Sequence, residues 1–148
     1  MKVNQGLEAF FEQYGEAYSA LDANATSSMF ALPFMTVHQG QGTVWETMDS
    51  LLPATAALLG WFEQQGFLSA TYKIEEVLFI DDNFATVKLI WSVTRLDLAP
   101  WQYGTCYHVK RGVEGWKIYC VVQFDAVPDM EEGVDAAIRL SQRLSVSG

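Results

Sequence analysis

Two runs near the end of the chain, Tyr103 to Arg111 and Trp116 to Phe124, alternate apolar and polar residues and are separated only by Gly112-Val113-Glu114-Gly115. Period-two alternation puts successive side chains on opposite faces of a strand, and so short a connection requires the two runs to pair antiparallel. A hairpin this long carries an apolar face that the rest of the chain must cover. Half of the 148 residues are hydrophobic, enough for one sizeable core and too few for two ordinary domains, so a single domain over 1–148 is expected.

The formal net charge is -9, and the nine Lys and Arg residues are scattered along the chain. Nucleic acid and anionic membrane both demand a clustered basic face and are disfavoured as partners. The sequence shows neither a basic segment leading into an apolar run nor an apolar stretch of bilayer length, which makes the cytoplasm the expected compartment. If Arg111 faces Trp116, regular pairing sets Val109 against Ile118, Tyr107 against Cys120 and Cys106 against Val121. Cys106 and Cys120 then point to opposite faces, which predicts two reduced thiols. With only His38 and His108, and no Cys-x-x-Cys pair, no metal or other cofactor is expected.

Leu7, Phe10, Phe11, Tyr14, Ala17, Tyr18 and Leu21 recur at helical spacing opposite an acidic stripe of Glu8, Glu12 and Glu16. Asp22 to Ser28 reads as a short connection or a single helical turn. Met29 to Val37 reads as a strand in which Pro33 calls for an edge or a bulge. Thr43 and Glu46 have capping-box spacing, which predicts a helix running to Gly66 that Pro53 kinks near its middle. From Phe67 the pattern becomes a meander with a turn at Asp81-Asp82-Asn83. Tyr72 and Ile74 share one phase and Val77 and Phe79 the other, so a β-bulge is expected at Glu75-Glu76, with Glu76 opposite Lys88. Ala85, Val87, Leu89, Trp91 and Val93 form an inward row. Asp129 and Glu132 can cap a last helix over 129–144.

Leading helices followed by a bent antiparallel sheet define an α+β fold in which the sheet curls over the N-terminal helices into a cone, with a C-terminal helix as an extension. Three segments carry a family resemblance: Ala31-Leu32-Pro33-Phe34, Asp82 through Trp91, and Tyr107 through Ile118 with its closing Gly-Trp-Lys-Ile. Over about residues 7–125 the chain resembles the nuclear transport factor 2-like superfamily, which includes SnoaL-like polyketide cyclases, ketosteroid isomerases and limonene epoxide hydrolases. The resemblance implies a cone with a cavity at its open end. It does not select a reaction, because one fold serves many functions.

Within that family the limonene epoxide hydrolases join two carboxylates through an arginine, and the Arg-x-Asp at Arg95 and Asp97 with a later Asp125 looks like that arrangement. The likeness implies Asp125 as general base, Asp97 as acid and Arg95 as the residue that orients both. A solvated strand-end ion pair is the plain alternative. An isomerase-like site would instead pair His38 as base with Tyr14 and Tyr18 as donors, although the mid-sheet carboxylates of that family are replaced here by Trp91 and Tyr107. His38 precedes Gln39-Gly40-Gln41-Gly42, which reads as a flexible loop, so an exposed position is expected for it.

Tyr14, Tyr18, Phe34, Trp61, Tyr72, Trp91, Tyr103 and Tyr107 are the candidates for core and pocket lining. Together they favour a binding protein for a small hydrophobic or aromatic molecule, with a cofactor-independent hydrolase or isomerase as the alternative. An outward row of Ile90, Cys106, Tyr119 and Val121 leaves the outer sheet face partly apolar, which predicts a homodimer through that face.

Overall fold

A computed structural model describes residues 6–124. Its elements in chain order are α1 (Leu7–Ser19), α2 (Ala23–Ser28), β1 (Phe30–His38), β2 (Gln41–Trp45), α3 (Met48–Gln64), β3 (Phe67–Asp81), β4 (Phe84–Arg95), β5 (Leu98–Gly112) and β6 (Gly115–Phe124). The strands form one six-stranded sheet in the order β2-β1-β6-β5-β4-β3, antiparallel except for the parallel pair β1–β6. The sheet curls without closing, and the helices fill its concave side. The expected cap-and-helix segment at 129–144 lies outside the described residues.

The concave side follows from the two periodicities. Leu7, Phe11, Tyr14 and Tyr18 line one face of α1 and are buried, while Glu8, Glu12 and Glu16 stay exposed. Gly15 lets this face approach the sheet, since a Cβ there would lie 2.7 Å from a ring carbon of Tyr72. Ala85, Val87, Leu89, Trp91 and Val93 form the inward row of β4, each at most 2% exposed. The β3–β4 register slips between Ile74 and Glu76, making Glu75 the extra residue. That bulge puts Tyr72, Ile74, Val77 and Phe79 on the inward face together. Glu76 faces Lys88 as expected, but the bulged Glu75 makes the ion pair with it, at 3.0 Å.

Two local expectations are corrected. Thr43 does not cap a helix. Thr47 does, accepting from the Ser50 backbone N–H, and Thr43 lies in β2. The residues after His38 are a tight hairpin, not a flexible loop: Gln39 and Gly40 both have positive φ, 52° and 76°, and His38 pairs with Gln41. Positive φ at both central residues is what a two-residue hairpin turn needs to match strand twist. Of the edge and the bulge that Pro33 called for, the fold takes the second: with β2 on the outside, β1 is an internal strand, and the β1–β6 register slips between Phe30 and Met35.

The final hairpin is also corrected. Arg111 faces Trp116 and Val109 faces Ile118, but the register then slips, so His108 faces Cys120, Tyr107 faces Val121 and Cys106 faces Val122. Regular pairing fails because Tyr119 and Cys120 together oppose a single position. Cys106 and Cys120 therefore share the outer face, on a diagonal, and both are free thiols. The same slip turns Val121 inward, removing it from the outer row.

Candidate functional site

The cavity lies between the two helices that follow α1 and the β2-β1-β6 half of the sheet. Its volume is about 130 Å³ and it is partly open. Tyr14 and Tyr18 enter from α1, Phe34, Thr36 and His38 from β1, Trp45 from β2, and Val121 and Gln123 from β6. The helical wall is made of Thr26 on α2 and Leu51, Ala54, Thr55, Leu58 and Leu59 on α3. Where Thr26, Ala54 and Thr55 stand among the leucines of the helical wall, the side chains are too short to reach the rings Phe34 and Trp45 on the sheet side. Among the described residues, no Asp, Glu, Lys or Arg lines it.

Four tyrosines connect this cavity to the solid core. Tyr18 shares a hydroxyl–hydroxyl hydrogen bond with Tyr103, and the Trp91 indole N–H donates to the Tyr107 hydroxyl at 3.0 Å. Tyr14 meets Tyr107 edge-on at 5.4 Å and Tyr18 meets Trp91 edge-on at 4.8 Å. Burial is the leading cause that pushes the Tyr14, Tyr18, Tyr103 and Tyr107 phenols above their ordinary pKa. All four are neutral hydroxyls at physiological pH.

Polar atoms at the cavity are few. The Thr55 hydroxyl donates to the Leu51 carbonyl at 3.0 Å. Thr26 Oγ1, Thr36 Oγ1 and Gln123 Nε2 are buried and have no hydrogen-bond partner among the described residues. Such groups are uncommon in folded proteins, because an unpaired buried donor or acceptor forfeits its hydration. Here three of them border one cavity. Among the described residues no cluster of His, Cys, Asp and Glu could hold a metal ion. No helix among them is long and apolar enough to cross a membrane.

The candidate residues distribute as follows. Of the eight aromatics, Tyr14, Tyr18 and Phe34 line the cavity. Trp91, Tyr103 and Tyr107 are buried behind it. Tyr72 packs on Trp91, and Trp61 stacks on Trp101 at 5.5 Å, away from the cavity. His38 is corrected from exposed to buried, at 7% exposure, because the β1–β2 hairpin folds it against the cavity. His108 stays on the outer face, bonded to Thr86 at 2.9 Å and beside Tyr119.

Arg95 and Asp97 do not line the cavity. The Arg95 Nε donates to the Gln65 carbonyl at 2.9 Å and Nη1 to the Ala99 carbonyl at 3.2 Å, and the guanidinium lies 4.2 Å from the Trp101 ring centre. It ties the C-terminus of α3, where a cation suits the helix dipole, to the β4–β5 turn. Asp97 is exposed in that turn, at φ 58°. Asp125 lies outside the described residues. Sequence reading missed Trp45, Thr26, Thr36 and Gln123. None of the four had a visible signal: regular pairing points Gln123 outward, and only the slip at Tyr119 turns it to the cavity.

An α+β cone with a cavity under its β1–β6 half defines a nuclear transport factor 2-like protein. A family model described as NTF2-like protein (DUF6841) matches residues 4–126, and the chain belongs to that family. No functionally curated protein matches the sequence. Among solved structures the chain is similar to a domain of unknown function with a cystatin-like fold from Nostoc punctiforme PCC 73102. That match has a TM-score of 0.66 and 16% identity, covering 97% of this chain and 94% of that one. It is similar to an NTF-2 like protein of unknown function from Shewanella oneidensis MR-1, with a TM-score of 0.63 and 17% identity over 80% and 96% of the two chains. It is also similar to a ketosteroid isomerase-like protein from Erwinia carotovora atroseptica SCRI1043, with a TM-score of 0.58 and 17% identity over 78% and 92%. At these identities the likeness shows the fold alone.

Proposed function

We propose that the protein binds a small, largely apolar molecule in the cone. The observation that carries this reading is the 130 Å³ cavity bordered by Tyr14, Tyr18, Phe34 and Trp45. An apolar cavity of roughly 150 Å³ is large enough for benzene, so a single ring fits and a steroid-sized skeleton does not. In a thermal-shift panel of one-ring compounds, a ligand at about one hundred times its Kd should raise Tm by roughly 5–10 °C. Ala54→Leu, which adds bulk to the cavity wall, should abolish that rise while far-UV circular dichroism is unchanged. A panel that shifts neither protein overturns the reading.

The binding unit is a homodimer through the outer sheet face, in a reducing compartment such as the cytoplasm. Met35, Val44 and Leu78 are exposed on that face at 36%, 55% and 59%, beside Tyr119, Cys120 and Cys106. The patch is flanked by acids at Glu75 and Glu76 and bases at Lys88 and Lys110, the mixed signs that a two-fold contact needs to complement itself. Light scattering should give a dimer, and Met35→Glu with Val44→Glu should give a monomer. A monomeric wild-type chain at micromolar concentration counts against the dimer.

A further inference from the structure

The geometry points to a ligand class for this cavity: a neutral molecule the size of one six-membered ring, carrying a hydroxyl or carbonyl oxygen that Gln123, Thr36 and Thr26 recognise. The inference rests on the binding reading above and deepens it. Thr36 pairs with Val121 across the parallel β1–β6 register, and Gln123 is the next inward residue along β6, so the two side chains face the cavity from neighbouring strands. Thr26 comes from α2 and is 3% exposed. The atom of each that lacks a partner is a hydroxyl oxygen or an amide nitrogen. An amide N–H can only donate, and a hydroxyl can do either, so the complementary ligand must offer an acceptor and can use a donor.

Among the described residues the lining holds no Asp, Glu, Lys or Arg, and His38 is its one basic side chain, which restricts the ligand further. An anion or a cation placed there would lose its hydration with no Asp, Glu, Lys or Arg among the described lining residues to offset the loss. Hydrocarbons of the same size would leave the three polar atoms unpaired, so discrimination should come from the missing oxygen, as it does wherever a site is built to pair a substrate hydroxyl.

Isothermal titration with phenol, toluene and benzoate tests this. Phenol should bind at least tenfold more tightly than either of the others, the equivalent of about one net hydrogen bond. Thr26→Val and Thr36→Val should each weaken phenol about tenfold, leave toluene unchanged and raise the Tm of the free protein, because each removes an unpaired buried hydroxyl. Gln123→Leu should do the same without relying on either threonine. A rise in Tm with a fall in phenol affinity is a combination that mere structural damage cannot produce. Equal binding of phenol and toluene overturns the recognition by these three side chains while leaving the apolar pocket standing. Tighter binding of benzoate overturns the neutrality of the ligand. Failure of all three probes to bind overturns the pocket reading itself.

Discussion

Under β4 the inward row from Ala85 to Val93 is at most 2% exposed and meets the α1 rings Tyr14 and Tyr18 at Trp91, whereas under β1 and β6 the facing side chains stop short of one another around a cavity. The two halves belong to one sheet and share the two tyrosines Tyr14 and Tyr18. They differ in what the helices bring. α1 presents Phe11, Tyr14 and Tyr18 to the solid half, while α2 and α3 present Thr26, Ala54 and Thr55 to the hollow half. Close packing is the default of protein interiors, and a gap persists only where side chains of the right volume are missing. The solid half therefore sets the stability of the cone and the hollow half sets what the cone can hold.

Truncation in the solid half should have the largest effect. Trp91 is fully buried, contacts the rings of Tyr14, Tyr18 and Tyr72, and donates to Tyr107. Trp91→Ala is expected to cost about 3–5 kcal/mol, read from the denaturant midpoint. Leu58→Ala, at the cavity wall, should cost less than about 2 kcal/mol, because its side chain already lacks neighbours on one side. Equal costs would mean that the two halves are packed alike.

The same contrast decides what could be read from residue order. The row Ala85 to Val93 was legible because one face is uniformly apolar, and the bulge at Glu75 was legible because two apolar phases collide there with charged residues between them. The slip at Tyr119 was hidden: Tyr119, Cys120, Val121 and Val122 are all tolerated on either face, so nothing in their order marks the extra residue. β2 was hidden because its turn places Gln39, an unusual residue for positive φ, where Asn or Gly would have announced a hairpin. The cavity itself could not be read. A ring that packs and a ring that lines a void recur at the same spacing, and the difference lies in residues such as Ala54 on another element.

Alkaline pH should strain the boundary between the halves. Tyr14, Tyr18, Tyr103 and Tyr107 all have folded-state pKa values raised by burial above the unfolded value near 10. The folded protein then holds protons that the unfolded chain releases, so their contribution is fully present below about pH 10 and falls as pH rises toward the folded-state values. The slope is about 1.4 kcal/mol per pH unit for each tyrosine that stays protonated only in the fold. Absorbance at the phenolate band should show these four ionising in one step with loss of the near-ultraviolet dichroism. Gradual ionisation of all tyrosines in a protein that stays folded would place their hydroxyls in contact with solvent.

Added volume should separate the halves by sign, with the smallest changes of the set. Ala85 is 2% exposed and pairs with Phe79 of β3 and Val109 of β5, so the added atoms of Ala85→Leu must push buried neighbours off their rotamers. The expected cost is about 1–3 kcal/mol. Ala54 faces the cavity, and the added atoms of Ala54→Leu enter space that no side chain occupies. Their contacts and the apolar area they bury should offset any local adjustment, leaving stability unchanged or raised by about 1 kcal/mol. Paired urea titrations of the two variants read the difference directly. A destabilised Ala54→Leu, matching Ala85→Leu in size, would mean that the helical wall closes on the sheet in solution, and with it would go the distinction between a half that supports and a half that receives.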